Sequence, residues 1–148
     1  MASTYNKFYA FTDYLVGNVS GQSMMFGSDT FKVMLTNTAP VATNSKYADV
    51  SAGELANGNG YTTGGGVSVV SAANSSGIET VTAADVTFTA SGGDLGPFQY
   101  AVFYDTTPSD KPLVCWFDYG EPITLRDQER FTVEPNSSSP NGSLFTLG

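Results

Sequence analysis

The sequence predicts an all-β fold: a single-domain β-sandwich of jelly-roll type, carrying a short N-terminal helix or arm. Three observations predict it. First, residues 98–120 (FQYAVFYDTTPSDKPLVCWFDYG) hold two aromatic-rich apolar runs around a polar connection with Pro108, Asp110 and Pro112. Phe98, Tyr100, Val102 and Tyr104 alternate with Gln99, Ala101, Phe103 and Asp105; Leu113, Cys115, Phe117 and Tyr119 alternate with Val114, Trp116 and Asp118. Period-2 alternation punctuated by Pro, Asp and Gly reads as two paired strands, and runs apolar on both faces read as central ones. Second, only 14% of residues are charged and 13% are aromatic, while Gly, Ser, Thr and Asn abound, which is an all-β composition. Third, short strand-like pieces recur with turn signals between them.

In chain order, residues 1–27 are read as a helix or arm and 28–148 as the sandwich domain. Tyr5, Phe8, Phe11 and Leu15 fall on one helical stripe, Ser3 or Thr4 can cap and Gly17 can terminate, so a helix is expected over about 4–16. Met24, Met25 and Phe26 follow as apolar residues in a polar linker. Two readings stand. Helix and linker pack on their own sandwich, or they pack on a neighbouring subunit, for which flexible Met and aromatic side chains are suited. Under the second, Tyr5, Phe8, Phe11, Leu15, Met24, Met25 and Phe26 are the candidate partner interface.

Residues 30–36 (TFKVMLT) alternate as a strand. From 37 to 66 regularity fades into Pro40, two Asn-Gly pairs and the glycine run 64–66. An excursion of this length in a compact domain is usually functional or buried in an interface. Ser51 with Glu54 three residues on has capping-box spacing, so a helical turn is expected over 51–56. Strand pieces are expected at 67–71, 78–82, 85–90, 130–134 and 144–147, with turns at 74–77, 91–97 and 134–143.

The chain has 148 residues, enough for one domain that buries roughly 68–70% of its unfolded surface. The lone Cys115 cannot make an internal disulfide and reads as a small buried hydrophobe. Absence of histidine removes the commonest general base, the usual Ser–His and Cys–His pairs and most transition-metal sites. Fourteen acidic against six basic residues, net −8, argue against a nucleic-acid partner. Without a signal-peptide pattern or a membrane-length apolar run, the expectation is a soluble protein made in a cytoplasm, with no membrane partner.

Glycine runs 64–66 and 92–96 lack the sequence context of phosphate or dinucleotide loops and read as turns. The carboxylates are scattered, none with calcium-loop spacing, though a calcium ion assembled from separate loops stays open. Asp118 and Glu121 flank Gly120 and could form a glycosidase-like pair, but DYGEP reads equally as a strand end and turn. Trp116 and Tyr119 could stack on sugars; buried cross-strand pairing is the favoured reading, with Trp116 largely buried. The sequons at Asn18, Asn74, Asn136 and Asn141 carry little weight without secretion. No cofactor and no catalytic residue is assigned.

Five segments, SDTFKVMLTNTAPVATN (28–44), ADVSAGELANGNGYTTGG (48–65), DVTFTASGGDLGPFQYAVFYD (85–105), PLVCWFDYG (112–120) and ITLRDQERFTV (123–133), resemble in order and spacing a family of small structural proteins of tailed bacteriophages. The N-terminal YNKFYAFTDYL resembles the family's start, while the stretch 16–26 is longer than usual. The resemblance implies a virion component, a β-sandwich that decorates or cements the capsid, with Pro40, Asn59, Gly60, Tyr61, Gly96, Pro97, Phe98 and Trp116 as turn and core determinants. The implied partners are the major capsid protein and further copies of the chain, a trimer ahead of a dimer, on the capsid exterior. A tail- or fibre-associated protein gripping host glycans is the alternative.

Overall fold

The hairpin read from 98–120 lies at the centre of the fold. The computed structural model describes residues 3–138 and 142–148. In it, β7 (Leu95–Asp105) and β8 (Leu113–Leu125) pair antiparallel, with Ala101 opposite Phe117, Val102 opposite Trp116 and Phe103 opposite Cys115. They belong to a five-stranded sheet ordered β1 (Thr4–Lys7), β8, β7, β2 (Phe31–Thr36), β3 (Gly66–Ser68). Opposite it lie a three-stranded sheet, β10 (Phe145–Leu147), β5 (Ile78–Ala83), β4 (Val70–Ser75), and a pair, β6 (Val86–Thr89) with β9 (Arg130–Val133).

The main core fills the space between these layers. Phe31, Val33, Leu35, Ala101, Phe103, Cys115 and Phe117 from the large sheet meet Val81, Ala83, Val86, Phe88 and Val133 from the smaller ones and Leu144 just before β10. The other face of the large sheet buries a second cluster, Phe8, Met34, Val102, Tyr104 and Leu113, under Val50 and Tyr47 from the excursion. This double burial explains why β2, β7 and β8 are apolar on both faces. Strict alternation breaks at two places the sequence does not reveal: at the start of β8, Leu113 joins the second cluster while Val114 and Cys115 both enter the main core, and Phe98 departs from its run in β7. Phe98 joins Ala101 and Phe103 in the main core instead of Tyr100 and Val102, because the β7–β8 register shifts on both sides of it.

The expected helix over 4–16 is corrected. Residues 4–7 form β1, which extends the sheet beside β8 with Tyr5 opposite Phe117, and only α1 (Phe11–Leu15) is helical. Backbone pairing to β8 outweighs the helical stripe of Tyr5 and Phe8. The helical turn expected over 51–56 is met only in its first half, by a 3₁₀ turn (Ser51–Gly53), and α2 (Tyr47–Val50) runs directly into it. There Asp49, not Glu54, does the capping, its Oδ2 accepting the Ser45 and Lys46 amides at 2.8 and 3.1 Å. The turn expected over 134–143 runs partly outside the described residues, as does the Asn141 sequon. Its described part holds α3 (Pro135–Ser138), and the Asn136 amide clasps both backbone groups of Ala83 at 2.9 Å.

Candidate interaction surfaces and carboxylate sites

The seven candidate interface residues divide by burial. Phe8, Phe11, Met24 and Phe26 are buried and Tyr5 and Leu15 half-buried against the chain's own core, whereas Met25 is 57% exposed. Phe26 stacks on Phe31 at 4.7 Å between centroids and meets Phe11 and Phe145 edge-on. Polar ties reinforce the placement. Gln22 donates to Ser109 Oγ and accepts the Asp110 amide, and the Tyr14 hydroxyl donates to Asp110. Residues 4–26 are thus part of the same fold as 28–148. Six of the seven candidates pack on their own sandwich; Met25 is the exposed one among them, and Tyr9 and Val16, outside the seven, are exposed as well.

The excursion 37–66 is held by a carboxylate the sequence marked only as a cap. Glu54 Oε1 accepts the Tyr61 hydroxyl at 2.7 Å and the Gly64 amide at 2.6 Å, and Oε2 accepts the Tyr47 hydroxyl. The buried Tyr61 hydroxyl in turn accepts the Leu35 amide of β2 at 3.1 Å, and Tyr104 of β7 donates to the Gly64 carbonyl at 2.6 Å. Burial and the neighbouring Glu54 push the Tyr61 and Tyr47 hydroxyls up, so both remain protonated donors. Gly65 (φ +86°) passes so close to Val33 that any Cβ would collide with its carbonyl oxygen. At Gly65 the run is therefore a close approach of backbone to backbone. Asn59 (φ 53°) and Gly60 (φ +93°) turn the chain beside Thr89, where a Cβ on Gly60 would meet the carbonyl.

The carboxylates proposed for chemistry are otherwise engaged or apart. Asp118 Oδ1 accepts Gln99 at 3.0 Å and the Gly120 amide at 2.8 Å, which is turn bonding, while Glu121 is exposed. Cys115 is fully buried, and burial pushes its thiol up, away from reactivity. Among the described residues no group of three or more His, Cys, Asp or Glu side chains could hold a metal ion. One acidic contact escaped sequence reasoning. Asp105, at the end of β7, is fully buried; its Oδ1 accepts the Thr107 amide at 3.0 Å, while Oδ2 has no hydrogen-bond partner, and the Asp29 carboxyl is its acidic neighbour. Burial first, and Asp29 second, raise Asp105 to about 8. No local pattern links residues 29 and 105; only the strand order brings them together.

Trp116 is half-buried rather than largely buried, a correction. It sits on the second face of the large sheet against Phe8 (4.6 Å between centroids), where the cover from the excursion is incomplete. Tyr119 is buried in the main core edge-on to Phe131. Among the described residues no helix is long and apolar enough to cross a membrane. No family model, curated protein or solved structure matches the chain.

Proposed function

We propose that the chain is a structural protein of a tailed-phage virion, a capsid decoration or cement protein that binds the assembled major capsid protein from the outside and performs no catalysis. The observation that carries this reading is the five-segment sequence resemblance, taken with what its recurring positions do here. Tyr61 and Phe98 are buried, Gly60 makes a tight approach and Pro40 is buried at the start of the excursion. These are residues that specify a shape. A shell holding packed DNA is under outward pressure, and a rigid module bridging neighbouring capsomers adds contact area that must be broken before they part. Copies of the chain would associate with one another as well, in keeping with the local symmetry of a shell.

A virion count tests the reading. Quantitative mass spectrometry of purified particles should find the chain at a copy number comparable to the major capsid protein, on the order of hundreds. A count of a handful to a few dozen would place it in the tail or fibre and overturn the decoration reading.

A further inference from the structure

The geometry points to β4 as a self-pairing edge, through which two copies of this chain join their three-stranded sheets antiparallel about a two-fold axis. In the order β10, β5, β4, the strand β4 is terminal, and among the described residues its outer edge pairs with no other strand. From Ser71 to Ser75 every side chain is exposed. Exposed edges are normally blunted by charge, proline, a bulge or shortness. Two of the other terminal strands, β3 and β10, have three residues each, and β1 carries Lys7. β4 is six residues long, VSAANS, without charge, proline or a register shift against β5.

The adjoining face has the same character. Register places Ser71, Ala73 and Ser75 beside Thr82, Thr80 and Ile78, all uncharged. The one charged side chain of these three strands, Glu79, lies opposite Asn74, on the face shared with the buried Val81 and Ala83, and accepts from Asn74 at 3.2 Å. A chain of net charge −8 offers a basic partner many acidic surfaces, and this sheet is not one of them. A second copy is the occupant that fits. Two-fold pairing sets the residue on the axis against its own equivalent and its neighbours against one another, so a charge on the axis would meet itself. In an antiparallel ladder, opposite residues are of one kind, both bonded or both unbonded. The axis therefore passes through a residue, and Ala72 or Ala73 gives the longest overlap, with side chains small enough for ordinary strand spacing. Such an edge makes a two-fold pair, in contrast to the trimer expected from the family resemblance.

The inference does not rest on the capsid reading and is tested without virus. An edge pairing falls short of the roughly 1,200–2,000 Å² of a standard interface, so association is expected to be weak and concentration-dependent. Sedimentation equilibrium of the full chain, up to about 1 mM, should show monomer and dimer. Ala73→Lys should weaken the dimer about tenfold or more while leaving the circular dichroism spectrum unchanged. Under mild oxidation, Ala72→Cys or Ala73→Cys, whichever lies on the axis, should form a disulfide dimer, with the buried Cys115 silent. A monomer at all concentrations, a trimer, a dimer indifferent to Ala73→Lys, or no cross-link from either cysteine would each overturn the proposal.

Discussion

The Tyr61 hydroxyl donates to Glu54 at 2.7 Å while it accepts the Leu35 amide at 3.1 Å, so one phenol joins the long excursion to the inner strand β2 near its end. Leu35 is fully buried, and removing the hydroxyl leaves its amide without a partner and Glu54 with one donor fewer. Tyr61→Phe should therefore cost about 1–3 kcal/mol, the penalty of an unsatisfied buried group. Urea unfolding of the two proteins measures it; equal midpoints would show that the excursion is held by packing alone.

The neighbours Met25 and Phe26 make a matched pair, because one faces solvent and the other the aromatic cluster. Phe26→Ala should cost about 3–5 kcal/mol. Met25→Ala should change stability by no more than about 0.5 kcal/mol. Comparable losses from both would mean that the linker is not packed as described. Deleting residues 1–27 removes β1 and several core side chains, and should leave a chain that does not fold.

Asp105 sets a pH dependence with a definite sign. Its folded pKa of about 8 lies above the unfolded value of about 3.9, so the folded state holds a proton that the unfolded chain releases. Its favourable contribution is fully present below the unfolded value and is lost as pH rises from about 4 to about 8. Asp105→Asn keeps an acceptor for the Thr107 amide and has N–H donors that do not titrate. The variant should gain stability relative to the parent as pH rises through that window, and differ least near pH 4. Parallel stability–pH curves would remove the charged contact from the account.

Gly65 separates close approach from ordinary turn geometry. Gly65→Ala meets both a left-handed backbone and the Val33 carbonyl, and should cost at least about 1–3 kcal/mol. Gly27→Ala, with open space around it, should be within about 0.5 kcal/mol of neutral. Thermal unfolding of the two variants decides; equal effects would show that β2 and the excursion do not lie in contact at Val33.

What the sequence made legible follows from how local its signals are. The β7–β8 hairpin could be read because alternation, turn residues and pairing all fall within a few dozen residues. β2, β5, β6, β9 and β10 were legible from their own alternation and flanking turns, although β2, β6, β9 and β10 pair with strands far off in the chain. β1 was not, since its partner β8 lies more than a hundred residues away and Tyr5, Phe8, Phe11 and Leu15 also satisfy a helical stripe. The Glu54 cluster was hidden for a related reason. Tyr47 and Tyr61 stand seven residues to either side of it, a spacing with no meaning until the excursion folds back on β2. Trp116 was misjudged because an apolar strand fixes which face a side chain takes and not how completely that face is covered.

The central claim, that the chain decorates a capsid, is tested most directly by a cryo-EM map of the virion into which this fold can be placed. The account predicts density for the sandwich on the outer surface of the shell, repeated with the capsid lattice and touching the major capsid protein. Density for it confined to the tail or its fibres, or none on the particle, would contradict the account.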